Sequence, residues 1–255
     1  MKNLEGSIQD NRAMINLPDA KKIWIFCVIF GALFWLVGLV LWWQGGIDET
    51  VLFHFNAARV AYTLPVALSQ WLSSYGMAAI TSLFVVYRLI SLKLKTLDAP
   101  LTIYFYTICS FGLSGILGDL LKLLLVRPRP ITTYGDQILV YSQSASPAIP
   151  SGHATKSVAL VLPFLFLVSG SRHIHKVFKI VIVLIASGVC FSRIVLGAHY
   201  LSDVLAGVGT ALIGLPLSML FANMVLRKAK QEQLVRLSIV WTILLIFLTA
   251  IFMAL

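Results

Sequence analysis

Long apolar runs decide what this chain can become. They cover about residues 23–43, 76–94, 100–126, 154–169, 177–197, 203–226 and 236–255. A helix needs roughly 20 mostly apolar residues to cross the hydrocarbon core of a bilayer. Inside lipid every backbone N–H and C=O must be satisfied within the segment, and a helix does that. The expected fold is all-α: a polytopic transmembrane helix bundle with about six to seven spans. Composition agrees, with 59% hydrophobic and 12% charged residues, against about 25% charged in an ordinary soluble domain.

Residues 1–22 form a polar N-terminal segment without the apolar stretch of a cleavable signal peptide. Residues 23–255 read as one transmembrane domain. The fourth run is short and holds Pro163, whose freed backbone carbonyl a neighbouring helix can satisfy. The segment 48–75 is ambiguous, because His54, Asn56, Arg59 and Pro65 interrupt its apolar character. It is expected to be an interfacial or re-entrant helix, with Trp71 and Tyr75 at headgroup level.

The net charge of +10 would suggest nucleic acid on a soluble protein. Here the basic residues follow the topology instead, and no nucleic-acid partner is expected. With the N-terminus inside, the cytoplasmic segments hold Lys2, Arg12, Lys21, Lys22, Arg88, Lys93, Lys95, Arg172, Lys176, Lys179, Arg227, Lys228, Lys230 and Arg236. Those are fourteen of the 20 basic residues, as the positive-inside rule requires. The six outside are Arg59, Lys122, Arg127, Arg129, Lys156 and Arg193. Cys27, Cys109 and Cys190 all lie in apolar runs and are expected to be small buried hydrophobes.

Three clusters carry chemistry. Lys122 and Arg129-Pro130 close the third run, Pro150-Ser151-Gly152-His153 opens the fourth, and Ser192-Arg193, His199 and Asp203 join the fifth to the sixth. The first two flank one loop, and the chain crosses twice before the third. All three therefore meet at one membrane face. Ionisable residues at such a boundary are costly unless paired or functional.

Lys122, Arg129 and Arg193 can neutralise a phosphate, Arg through a planar fork and Lys as a point charge. Ser151 and Gly152 precede a helix whose free N–H groups make an anion site. His199 and Asp203 are four residues apart and stack on one helix face. A carboxylate on one ring nitrogen fixes the tautomer and leaves the other nitrogen nucleophilic. His153 is suited to protonating a leaving oxygen.

The pattern Lys-x6-Arg-Pro, Pro-Ser-Gly-His and Ser-Arg-x5-His-x3-Asp closely resembles the signature of the type 2 phosphatidic acid phosphatases. The resemblance covers a core of about residues 76–227. It implies a helical lipid phosphatase with no metal and no cofactor, acting through a phosphohistidine on His199 oriented by Asp203. His153 would be the acid, and Lys122, Arg129, Ser151, Gly152 and Arg193 the phosphate ligands. The partners it implies are a phosphorylated lipid and the surrounding membrane lipids. Undecaprenyl diphosphate, phosphatidylglycerophosphate and the phosphates of lipid A are the candidate substrates. The expected location is the inner (plasma) membrane, with the site on the periplasmic face. Oligomeric state is left open.

Plainer roles stand beside these. Pro130 is expected to end the third helix and fix Arg129. Asp119 is expected to make a structural ion pair or packing contact with Lys122, one helical turn away. Arg127, Lys156 and Arg59 either touch a polar headgroup or are merely solvated, and His173 and His175 are expected to be solvated. Three rivals to the hydrolase reading remain. One is a histidine metal site, which the neighbouring cations disfavour. Another is a phosphotransferase using the same residues. The last is a transporter, which would place its polar residues near the midplane instead.

Overall fold

A computed structural model describes residues 17–56, 64–94, 102–141, 144–168 and 173–228, with isolated positions at 240, 243 and 247. The described residues are helical apart from turns and loops. Helix α1 is Leu17–Gln44, α2 is Gly46–Phe55, α3 is Leu64–Leu94 and α4 is Thr102–Leu125. The five-residue α5, Pro130–Tyr134, runs into a 3-10 turn, Gly135–Gln137; α6 is Gly152–Leu167, α7 is His173–Val195 and α8 is Leu201–Lys228. By length and composition α1, α3, α4, α7 and α8 can each cross a membrane, and α6 is a shorter apolar helix of 16 residues. The chain is therefore a multi-pass membrane protein of the expected all-α class.

Two expectations change. The second span does not begin at residue 76: α3 is one helix of 31 residues from Leu64, and it contains Trp71 and Tyr75. Pro65 lies in its first turn, where a missing N–H leaves no helical bond unmade. Residues 46–55 form the separate helix α2. His175 is not solvated either. It is buried in the first turn of α7, and its Nδ1 lies 2.8 Å from the Tyr87 hydroxyl of α3. The run 236–255, residues 1–16, Arg59, Lys95, Arg172, Lys230 and Arg236 fall outside the described residues, the three isolated positions excepted.

Helix α6 is the centre of the bundle. It packs against α3, α4, α7 and α8; α3 otherwise packs mainly on α7 and α4 on α8, and α3 and α4 scarcely pack on each other. On one side Phe164 of α6 stacks on Phe84 of α3, with centroids 4.2 Å apart and planes within 9°. Tyr104 of α4 and Ile182 of α7 close that cluster. On the other side Ala159 and Leu162 of α6 meet Tyr106 of α4 and Leu215 and Met219 of α8. The three cysteines are free and buried.

Lipid tails are as apolar as leucine, so close backbone packing must hold membrane helices together, and small residues permit it. The α1–α8 contact shows this. A Cβ on Gly31 would lie 3.0 Å from the Gly209 carbonyl, and one on Gly209 would lie 2.7 Å from the Gly31 carbonyl. Trp35 of α1 then donates from Nε1 to Thr210 Oγ1 at 3.2 Å.

Candidate active site

The eight residues singled out in the sequence converge at one end of the bundle. Helix α4 stops at Leu125, earlier than expected, and Val126 turns the chain with φ 39. Pro130 consequently opens α5 rather than ending α4, with Arg129 in the N-cap position. Gly152 and His153 begin α6. Arg193 stands in the last turn of α7, and Asp203 in the first turn of α8.

Two contacts lock these helix ends together. The Ser151 N–H donates to the Asp203 carbonyl at 2.9 Å. Just below, a Cβ on Gly207 would come within 2.7 Å of the Ser151 carbonyl, so glycine is what lets α8 lie against the start of α6.

A cavity of about 470 Å³ opens there. Lys122, Arg129, Gly152, His153, Arg193 and His199 line it, together with Met77, Phe111, Asp119, Ser144, Ser146 and Lys156. Ser151 and Asp203 are fully buried behind that wall. Ser151 Oγ and Arg193 Nε have no hydrogen-bond partner among the described residues. The lining thus combines four cations, Lys122, Arg129, Lys156 and Arg193, with two apolar side chains, Met77 of α3 and Phe111 of α4.

His199 is almost wholly buried. Its Nδ1 lies 3.3 Å from Asp203 Oδ2, which also accepts the Tyr200 N–H at 2.9 Å. Its Nε2 lies 3.5 Å from Arg129 Nη1. The carboxylate therefore takes one ring nitrogen, and the other faces the cations. Burial pushes the His199 pKa down from 6.5 to about 4; Arg129 and Arg193 push it the same way, and Asp203 opposes them. These surroundings favour the neutral imidazole, the form that keeps a lone pair on one ring nitrogen.

Further residues join the site without a sequence motif to announce them. Ser146 accepts from Arg129 Nη2 at 3.0 Å and from Lys122 Nζ at 3.4 Å on its hydroxyl, and from Arg129 Nε at 2.7 Å on its carbonyl. Both cations thus aim at one point in the cavity. Ser73 of α3 accepts from Arg193 Nη1. Nothing in a Ser-rich loop marks one serine as special, so the only available signal was its position between two clusters.

Arg127 is neither a headgroup contact nor solvated. It is buried and paired with Asp48 at 2.9 Å and Asp203 at 2.6 Å. A signal for that existed: an acid at a membrane boundary needs a cation, and Asp48 and Asp203 share that face. Asp119 is exposed and lines the cavity; no ion pair within 4.0 Å joins it to Lys122 among the described residues. Lys156 also lines the cavity, its stem against Gly115. Among the described residues no three His, Cys, Asp or Glu side chains converge as a metal-ligand set.

No curated protein matches the chain. A solved structure, the transmembrane PAP2 type phosphatidylglycerolphosphate phosphatase from Bacillus subtilis, aligns with 81% of this chain and 97% of its own at 22% identity, with a TM-score of 0.40. The sequence profile of the PAP2 superfamily matches residues 100–227. That stretch is half of the chain and contains all three motif clusters, so this multi-pass membrane protein belongs to the PAP2 superfamily, the type 2 phosphatidic acid phosphatases.

Proposed function

We propose that the protein hydrolyses a phosphomonoester or diphosphate on a lipid headgroup, at the periplasmic face of the inner membrane, through a phosphohistidine on His199. The observation that carries this reading is the two-sided environment of one imidazole. Asp203 holds its Nδ1, while Nε2 faces a cavity flanked by Arg129, Arg193 and Lys122.

A phosphate seated among those cations would present phosphorus to Nε2. The cations stabilise the charge spread over the equatorial oxygens. As the P–N bond forms, the P–O bond to the lipid breaks and His153 gives its proton to the leaving oxygen. His153 then takes a proton from water, whose oxygen attacks phosphorus; inorganic phosphate leaves and His199 is restored. No step calls for a metal.

The surroundings suit a lipid. Met77 of α3 and Phe111 of α4 put apolar side chains in the same cavity as the cations. A headgroup could enter there sideways, with its tail still among the lipids. The basic residues at the opposite ends of the helices, Lys21, Lys22, Arg88, Lys176 and Arg227, support a cytoplasmic location for those ends. The site would then be periplasmic.

The test is phosphate release by the detergent-purified protein with EDTA present. Substrates are undecaprenyl diphosphate, phosphatidylglycerophosphate, phosphatidic acid and lipid A, each beside His199→Ala. Release that resists EDTA and disappears in the variant supports the mechanism and ranks the substrates. Folded protein that releases phosphate from none of them overturns the hydrolase, and added lipid acceptors would then test phosphate transfer.

A further inference from the structure

Behind the dyad lies a buried cluster that the reaction as written does not use. Arg127 Nη1 donates to Asp203 Oδ1 at 2.6 Å, while Oδ2 of the same carboxylate holds His199 and the Tyr200 N–H. Both oxygens of Asp203 are therefore engaged, and the carboxylate cannot rotate away from the imidazole. Arg127 Nη2 donates to Asp48 Oδ2 at 2.9 Å. Asp48 comes from α2, outside the stretch that the superfamily profile matches. It also accepts the Ser202 N–H at 2.8 Å and the Ser202 hydroxyl, at the start of α8. The guanidinium lies between two rings, 4.1 Å from the centroid of Tyr200 and 5.1 Å from that of Trp42.

We infer that Asp48 and Arg127 are positioning residues for the His199–Asp203 pair, with Asp48 balancing Arg127 so that Asp203 keeps its negative charge for the imidazole. This rests on the hydrolase reading above. The charge count carries it. Asp48, Arg127 and Asp203 together hold one net negative charge behind a ring that turns cationic as Nε2 takes the phosphoryl group. Without Asp48 the cluster would be neutral, and the buried guanidinium would have Asp203 as its one carboxylate. Unpaired buried charge is expensive, so Arg127 would draw on Asp203 at the expense of His199. Clamping needs only the hydrogen bonds; balancing needs the charge of Asp48, and the two can be told apart.

The charged and titratable groups facing His199 are Asp203 from α8, Arg129 from the segment after α4, Arg193 from α7 and His153 from α6, and Asp119 and Lys122 of α4 and Lys156 of α6 line the same cavity. Arg127 and Asp48 act on it through Asp203. Removing the positive charge of Arg127 should therefore make His199 easier to protonate, and the acid limb of kcat/KM should move up.

The experiment uses the full chain in detergent, on whichever substrate the panel selects, with His199→Ala run beside it. A wild type that releases phosphate while His199→Ala does not keeps the hydrolase reading intact whatever the new variants do. Asp48→Asn is expected to lower kcat by about tenfold or more, with KM changed by less than about twofold; a nearby charge acting through an effective dielectric of about 20 is worth that much. Asp48→Glu should recover much of the rate. Arg127→Gln should move the acid limb toward neutral pH, and Arg127→Lys should leave it in place. Wild-type kcat in Asp48→Asn overturns the inference. So does a slower Asp48→Asn beside an unmoved acid limb in Arg127→Gln, which would leave a clamp without charge balancing. Should Asp48→Asn not fold, the acid limb of Arg127→Gln decides alone.

Discussion

At the residue scale the consequences of burying His199 can be measured. Its pKa is pushed from 6.5 down to about 4, by burial first. Attack requires the neutral ring, so the acid limb that His199 imposes on kcat/KM is expected near pH 4 rather than near 6.5. A pH–rate profile of the purified protein checks this, and a His199 limb near 6.5 would contradict a buried Nε2 flanked by cations. The same shift enters stability. Between about pH 6.5 and 4 the unfolded chain binds a proton at this position that the folded chain does not. Unfolding therefore becomes easier as pH falls through that window, and the contribution is fully present only above it. His199→Ala should flatten this part of the curve of thermal stability against pH. Sequence spacing placed His199 against Asp203, and the two lie 3.3 Å apart. It did not foresee Arg127 on the far side of Asp203, because pairing across 76 residues leaves no local spacing.

At the element scale the site depends on how closely α8 can lie on α6. Gly207 permits that contact, since a Cβ there would meet the Ser151 carbonyl at 2.7 Å and Ala154 Cβ at 3.0 Å. Both partners are close to backbone and cannot swing aside. Gly207→Val should separate the two helices, strain the bond from the Ser151 N–H to Asp203, and destabilise by about 1–3 kcal/mol, the usual cost of overpacking. Gly112 in α4 makes the comparison, because a Cβ there meets nothing within 4 Å. Gly112→Ala should be neutral or stabilising by about 0.5–1 kcal/mol. Thermal unfolding in one detergent, read beside kcat, tests both: Gly207→Val should lose stability and rate, Gly112→Ala neither. The long helices were legible from their apolar runs, because lipid demands length and little else. The start of α3 was not. Pro65 read as an interruption, although a proline in the first turn lets a helix begin, and the polar residues that follow include Ser69, which is buried, and Ser73, which takes a hydrogen bond from Arg193. Helix α2 was obscure because the partners of its buried Asp48, Arg127 and Ser202, lie far along the chain.

At the scale of the whole molecule two cavities border apolar side chains, and the proposed function requires that a lipid reach the cations of one of them. The first holds His199, and Met77 of α3 and Phe111 of α4 line it. The second is a cavity of about 430 Å³ among α1, α6, α7 and α8, lined by Phe34, Val158, Val183, Phe191, Leu205 and Val208 among others. Its upper end, at Ile194, Leu201 and Val204, lies at the level of the dyad. Neither His199 nor any of the cations around it lines this second cavity. Filling each opening separates the routes. Met77→Trp and Phe111→Trp should slow hydrolysis of a long-chain substrate in vesicles by about tenfold, while a short-chain, water-soluble analogue, free to come from the aqueous side, keeps its rate within about twofold. Leu205→Trp, which narrows the other cavity, should slow neither. If both substrates slow together in the Met77 and Phe111 variants, those side chains shape the phosphate site instead of a lateral path. If Leu205→Trp alone slows the long-chain substrate, the tail uses the second cavity.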